Sequence, residues 1–133
     1  MKTFGLEIVT PDGLIFSGEA ESVTVKTTLG DVSVLAAHAD YFAALATGPA
    51  RIKIDGSDRM ASLSGGYISV EGAKTRIVAT TFEFADEIDK ARAEKAKEKA
   101  LSLINSAKDD RLLRIAKAKL ARALTRIEVS SAK

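Results

Sequence analysis

Over the first 85 residues the apolar positions recur every second residue, the period of a half-buried strand. Phe4, Leu6 and Ile8 alternate with polar or small neighbours, and Pro11-Asp12-Gly13 follows as a turn. There proline pre-sets φ and glycine accepts positive φ. In Glu21–Lys26, Val23 and Val25 share one face, while Glu21, Ser22, Thr24 and Lys26 fall on the other or at the rim. Further strands are predicted at Asp31–Leu35, Ala50–Ile54, Met60–Ser64, Tyr67–Glu71 and Thr75–Phe82. Turns at Leu29-Gly30, Asp55–Asp58, Gly65-Gly66 and Gly72 separate them. Closely spaced short strands with no helix between them predict an antiparallel β-sandwich or flattened barrel.

At Asp86 the period changes. Ile88, Ala91 or Arg92, Ala96, Ala100 and Leu103 lie about four apart, a helical stripe. Asp86 suits the N-cap, and Glu87 and Asp89 suit the positive end of the helix dipole. Asn105–Asp110 interrupts the pattern, and a second helix is predicted from about Asp109. Leu113, Ala116, Leu120, Ala123 or Leu124, and Ile127 form its stripe. A short polar connection folds two such helices antiparallel. The predicted class is therefore α+β: a sandwich or barrel over residues 1–85, then an antiparallel two-helix hairpin over residues 86–133. Alanine buries little area at about 25 cal/mol per Å², and isolated helices of this length are marginal in water. The hairpin is thus expected to pack, open or extend according to what it touches.

Composition narrows the chemistry. Hydrophobic residues make up 46% but aromatics only 5%, without Trp, so the core is built from Val, Ile, Leu and Ala. Cysteine is absent, which excludes disulfides and thiolate metal sites and suits a reducing compartment. The start carries no basic-then-apolar leader, and no apolar run approaches the ~20 residues of a membrane span. A soluble chain, with any membrane association indirect, is the expectation. His38 is the single histidine, which excludes a His-based metal cluster. A Ser-His-Asp triad around it lacks the G-x-S-x-G nucleophile turn. Neither phosphate-loop nor dinucleotide glycine motif occurs, and Ser64-Gly65-Gly66 reads as a turn or bulge. No catalytic residues are expected.

Charge is unevenly placed. Residues 1–85 hold 7 Lys/Arg and 10 Asp/Glu, residues 86–104 hold 5 of each, and residues 105–133 hold 8 and 3. A mildly acidic body thus carries a basic tail suited to acidic partners. Arg111, Arg114, Lys117 or Lys119, Arg122 and Arg126 recur three to four apart beside the apolar stripe. Three readings follow: a solvated face, a nucleic-acid contact, or a dock for an acidic protein surface. For the second, there is no aromatic stacking platform and no recognisable helix-turn-helix. Asp89 and Arg92, three apart, read locally as an exposed pair worth about a few tenths of a kcal/mol.

Three stretches taken together identify a family resemblance: Val9-Thr10-Pro11-Asp12-Gly13 at the start, Ser64–Val70 reading S-G-G-Y-I-S-V, and Ile88–Ala93 reading I-D-K-A-R-A. With the sandwich-then-basic-hairpin order, they resemble the epsilon subunits of bacterial F-type ATP synthases across essentially the whole chain. The resemblance implies a non-catalytic rotor subunit of the central stalk, peripheral on the cytoplasmic face of the cell membrane. Its sandwich, residues 1–85, would bind the gamma subunit and the c-ring, coupling proton or sodium flow to rotation. The hairpin, residues 86–133, would lie folded beside the sandwich or extend toward the alpha/beta hexamer. Extended, it inhibits ATP hydrolysis, and Arg111, Arg114, Arg122 and Arg126 would face an acidic region of beta. Asp31 and His38 match the rotor interface.

In some members the folded hairpin binds ATP through I(L)-D-x-x-R-A, matched here by Ile88, Asp89, Arg92 and Ala93. Glu83, Arg122 and Arg126 match further positions associated with that nucleotide. The resemblance thus implies no required cofactor, with ATP as a regulatory ligand. Lys99 stands where ATP-binding members often carry another arginine, supplying charge without the bidentate fork. Between Gly30 and Tyr41 the chain departs from the usual G-E-L-G-I-L-P-G-H-x-P-L run: Ser33 and Ala37 replace glycines, and Ala36 and Asp40 replace prolines. The alternative from another class is a free-standing nucleic-acid or acidic-protein binding module using the basic helix.

Overall fold

Ten strands and two helices follow one another in the computed structural model, which describes residues 2–131. Strands β1 (Phe4–Thr10), β2 (Gly13–Ala20), β5 (Tyr41–Ala44), β8 (Tyr67–Glu71) and β9 (Lys74–Val78) form one sheet, in the order β2-β1-β9-β8-β5. Strands β3 (Ser22–Thr27), β4 (Gly30–Leu35), β6 (Gly48–Ile54), β7 (Ser57–Ser64) and β10 (Thr81–Phe84) form the other, in the order β10-β7-β6-β3-β4. A 3-10 turn at Ala85–Glu87 leads to α1 (Lys90–Ser106) and α2 (Asp110–Ser131). The α+β sandwich-plus-hairpin architecture is therefore the one the hydrophobic pattern predicts. The two final residues of the predicted hairpin lie outside the described residues.

The inward half of each alternating strand builds the core. Leu6, Ile8, Val23, Val25, Ile52, Leu63, Ile68 and Ile77 are each 2% exposed or less. Five-stranded sheets facing each other bury these side chains between them, as a sandwich requires. The Gly65-Gly66 turn reverses the chain between β7 and β8 with positive φ at both glycines, and a Cβ on Gly66 would strike the Val78 carbonyl. Only glycine fits there, so this stretch is a turn, as read.

Strand detail departs from the periodicity in three places. Thr75–Phe82 is not one strand: β9 ends at Val78 and β10 begins at Thr81 in the opposite sheet. The Ala79 N–H donates to Val9 O and the Thr80 N–H to Ser64 O, so the chain crosses between sheets at these two residues. β2 carries no clear alternation, turning only Phe16 and Ala20 appreciably inward at the sheet edge, whereas the opposite edge strand β5 alternates, with Tyr41 and Ala43 half-buried. The sandwich is antiparallel throughout except for β1 and β9, which pair in parallel from Gly5↔Lys74 to Val9↔Val78.

The helices also shift. Asp86 does not cap α1: its carboxylate lies 3.7 Å from the Arg59 guanidinium. The cap is Asp89, whose Oδ1 accepts from the Arg92 backbone N–H at 3.1 Å. The helix starts late because Ile88 stays extended (φ −82°, ψ 126°) and inserts, 7% exposed, beside Ala85, Met60 and Val129. Along α1 the buried positions are Ala93 and Ala100, whereas Ala91 and Arg92 face solvent and Leu103 is 37% exposed. On α2, Ala116 and Ala123 are buried, Leu113, Leu120 and Ile127 are half-buried, and Leu124 is exposed. α1 packs on α2, and α2 lies on the outer face of β6 and β7 and against the 3-10 turn. The hairpin is folded down.

Candidate functional site

Small side chains set the helix spacing. Ala93 and Ala100 of α1 and Ala116 and Ala123 of α2 let the two backbones approach closely, while longer flanking residues stand up on either side. On one flank this leaves a cleft of about 240 Å³. Ala96, Lys99, Ala100 and Leu103 line it from α1, at helical spacing. Lys119, Arg122, Ala123 and Arg126 line it from α2. Its polar side chains are all cationic donors without an acceptor, so its complement is an anion.

The cleft reaches the sandwich through Arg126. Alternation along β10 turns Phe82 and Phe84 into the core and leaves Glu83 on the outer side, where α2 crosses. Arg126 Nε donates to Glu83 Oε1 at 2.6 Å, joining α2 to β10 across 43 residues of chain. Both side chains are about one third exposed. Among the described residues, Lys99, Lys119 and Arg122 make no such ion pair. Three cleft cations are therefore left without a carboxylate partner among the described residues.

The residues named from the sequence divide into those the fold gathers and those it separates. Glu83, Arg122 and Arg126 meet at the cleft or its base. Arg92, exposed on the first turn of α1, shares the face of Ala96, Lys99 and Leu103 by its spacing. Asp89 and Arg92 do not form a side-chain ion pair: the Asp89 carboxylate serves the Arg92 backbone N–H as the helix cap. Ile88 and Ala93 are buried and hold α1 in place. Arg111 and Arg114 stand exposed on the first turns of α2, away from the cleft lining, so the four basic residues form no single cluster in the folded hairpin.

Asp31 and His38 are separated by β4. Asp31 is exposed at its start, opposite Lys26. His38 follows its end, with Nδ1 2.7 Å from Ala39 O and its ring 5.9 Å from that of Tyr41. Two contributors were not singled out by the sequence. Lys119 was read only as an alternative to Lys117, and its place in the cleft follows from the register of α2. Arg59, stacked 3.7 Å over the Phe84 ring and near Asp86, clamps the chain as it leaves the sandwich; no local pattern marks it.

Comparison with known proteins places this geometry. The model described as ATP synthase, Delta/Epsilon chain, beta-sandwich domain matches residues 3–85. The one described as ATP synthase, Delta/Epsilon chain, long alpha-helix domain matches residues 86–131. The ATP synthase epsilon chain of Bacillus subtilis is 40% identical over 130 residues, covering 98% of each chain. That of Ruminococcus albus is 36% identical over 134 residues, covering 100% of both. A chain of the Euglena gracilis mitochondrial ATP synthase OSCP/F1/c-ring structure shares the fold, with a TM-score of 0.82 at 22% identity. That match covers 97% of this chain and 81% of the other.

Proposed function

The chain belongs to the ATP synthase delta/epsilon chain family, as a subunit of that complex, and on that premise we propose a non-catalytic rotor subunit whose hairpin regulates ATP hydrolysis. Its sandwich binds gamma and the c-ring, with Asp31 and His38 on that side, and couples ion flow to rotation. As a subunit of that complex it is peripheral to the membrane part; no helix among the described residues is long and apolar enough to cross a membrane. We place it on the cytoplasmic face. Family membership lends no support to a free-standing nucleic-acid or acidic-protein binding module.

The observation that carries the regulatory reading is the cleft, with uncompensated cations on both helices and an ion pair tying α2 to the sandwich. ATP bound there bridges α1 and α2 through its phosphates, while Glu83, Asp89 and the backbone near Ile88 and Ala93 serve the nucleoside end. Charge-assisted donors on two helices hold the phosphates in one geometry only, the folded one. The ligand therefore shifts the hairpin population by its differential affinity for that state. Released, the hairpin extends and Arg111, Arg114, Arg122 and Arg126 meet an acidic region of beta.

Calorimetric titration of the full chain with ATP is expected to show saturable binding that Arg122→Ala weakens at least tenfold. Wild-type protein giving no saturable heat would reject the sensor role. In the assembled complex, deleting residues 86–133 is expected to raise ATP hydrolysis. Unchanged hydrolysis would reject the inhibitory role and leave the rotor role standing.

A further inference from the structure

We propose that Met60 is a modification site: a peroxide converts its thioether to the sulfoxide, and the added oxygen loosens α2 from the sandwich. The site is separate from the cationic cleft and shares no residue with it.

Sulfur is scarce in this chain. There is no cysteine, and the other methionine is Met1, so Met60 is the one oxidisable sulfur among the described residues. The fold puts it where hairpin and sandwich meet. Alternation along β7 sends Ala61 and Leu63 into the core and leaves Met60 on the outer face, over which α2 lies. There it packs, half-buried, on the cluster formed by Val129 of α2 with Ala85 and Ile88 of the connection. Four side chains make up that seam. A polar atom added to one of them therefore alters much of the apolar packing that seats α2.

The sulfur is also reachable. A cleft of about 440 Å³ extends to Met60 from β3, β4, β6 and the end of α2, with Lys26, Asp31, Arg51 and Glu128 in its walls. A water takes about 30 Å³ of liquid volume, so this cleft admits a small polar oxidant such as hydrogen peroxide. Arg51 stands directly opposite Met60 in the β6–β7 register, a placement that sets Cβ atoms about 5 Å apart. Its guanidinium makes no ion pair among the described residues. A thioether accepts hydrogen bonds only weakly and offers it little. The sulfoxide oxygen has two places to go. In the seam it lacks a donor and disfavours the closed state; turned to Arg51, it carries the side chain out of the seam. Both weaken the same contact.

In the oxidation a sulfur lone pair attacks one peroxide oxygen, and the S–O bond forms as the O–O bond breaks. The other oxygen leaves as water with both peroxide protons. Sulfur gives up an electron pair and the peroxide accepts it. Methionine sulfoxide reductases reverse the change, each acting on one sulfoxide epimer.

The test treats the full chain, without nucleotide, with hydrogen peroxide and follows hydrogen exchange by peptide mass mapping. Wild type is compared with Met60→Leu, which keeps the apolar bulk without sulfur, and Met60→Gln, which sets a fixed polar group in the seam. Peroxide is expected to add one oxygen to the peptide holding Met60 and to speed exchange in α1 and α2 on the order of tenfold. Protection in β1, β8 and β9 stays unchanged, and the two reductases together restore the original rates. Met60→Leu keeps slow exchange under peroxide, which sets aside any effect of oxidised Met1, and Met60→Gln exchanges fast without peroxide. A Met60 that stays reduced while free methionine in the same solution is oxidised overturns the proposal. So does a Met60 sulfoxide with unchanged exchange in α2, or a Met60→Leu chain that responds as wild type does. Exchange rising equally in the sheets overturns it too, since the oxygen would then be unfolding the whole chain. ATP binding is measured on untreated protein, so none of these outcomes touches the sensor reading, and its failure leaves this one standing.

Discussion

Ala37 holds a φ of +66°, in the left-handed region, just after β4. A Cβ in that region costs about 1–2 kcal/mol, which glycine avoids at some cost in unfolded-state entropy. This is the position where the family run quoted above carries glycine. Ala37→Gly is therefore expected to stabilise the chain by about 1 kcal/mol, read as a higher midpoint in urea denaturation with unchanged slope. No gain would mean that the surrounding loop, including the His38 N–H to Leu35 O bond, already relaxes the strain. Asp89 makes the complementary case for legibility. The I-D-x-x-R-A run marked it as a candidate site residue, but its local role was not readable there. Spacing pairs it with the Arg92 side chain, yet the fold uses its carboxylate to cap the Arg92 N–H. An i,i+3 carboxylate suits either role. Which it takes depends on where the helix begins, and the buried Ile88 sets that.

At the scale of elements, α2 is held to the sandwich by few contacts of unequal weight. Val129 is fully buried beside Ile88, Ala85 and Met60. The Glu83–Arg126 pair is partly solvated, so it contributes below about 1 kcal/mol and weakens with salt. Val129→Ala removes two methyl groups from a closed seam and is expected to cost about 2 kcal/mol. Hydrogen exchange distinguishes the two contacts. Val129→Ala should speed exchange throughout α1 and α2 while leaving β3, β6 and β8 protected; Glu83→Gln should do so only mildly, and least at high salt. Exchange rising equally in the sheets would show that hairpin and sandwich unfold as one unit. The helical stripes were legible as stripes, but not which alanine in each was buried. Ala91 and Ala93 differ little in pattern, and only the contact with α2 distinguishes them.

For the whole molecule, the sandwich closes its own core and the hairpin adds a second, smaller seam. A chain ending after the 3-10 turn is therefore expected to fold cooperatively. It would expose Met60 and the outer faces of β6 and β7, which α2 covers in the full chain. A single sigmoidal thermal transition monitored by far-ultraviolet circular dichroism checks this; a non-cooperative melt would show that α2 is needed to complete the sheet. The sequence alone determined the order of elements, the two hydrophobic periods, the turn glycines and the basic bias of the last helix. Each of these is a local property, written in residues a few positions apart. Tertiary structure decided the split of Thr75–Phe82 between two sheets, the parallel β1–β9 pair, and the meeting of Glu83 with Arg126. It also brought Lys99 and Lys119 into the lining of one cleft. These juxtapose residues from 16 to 70 positions apart, and packing two sheets and two helices against one another selects them; periodicity along a single element carries no record of that choice.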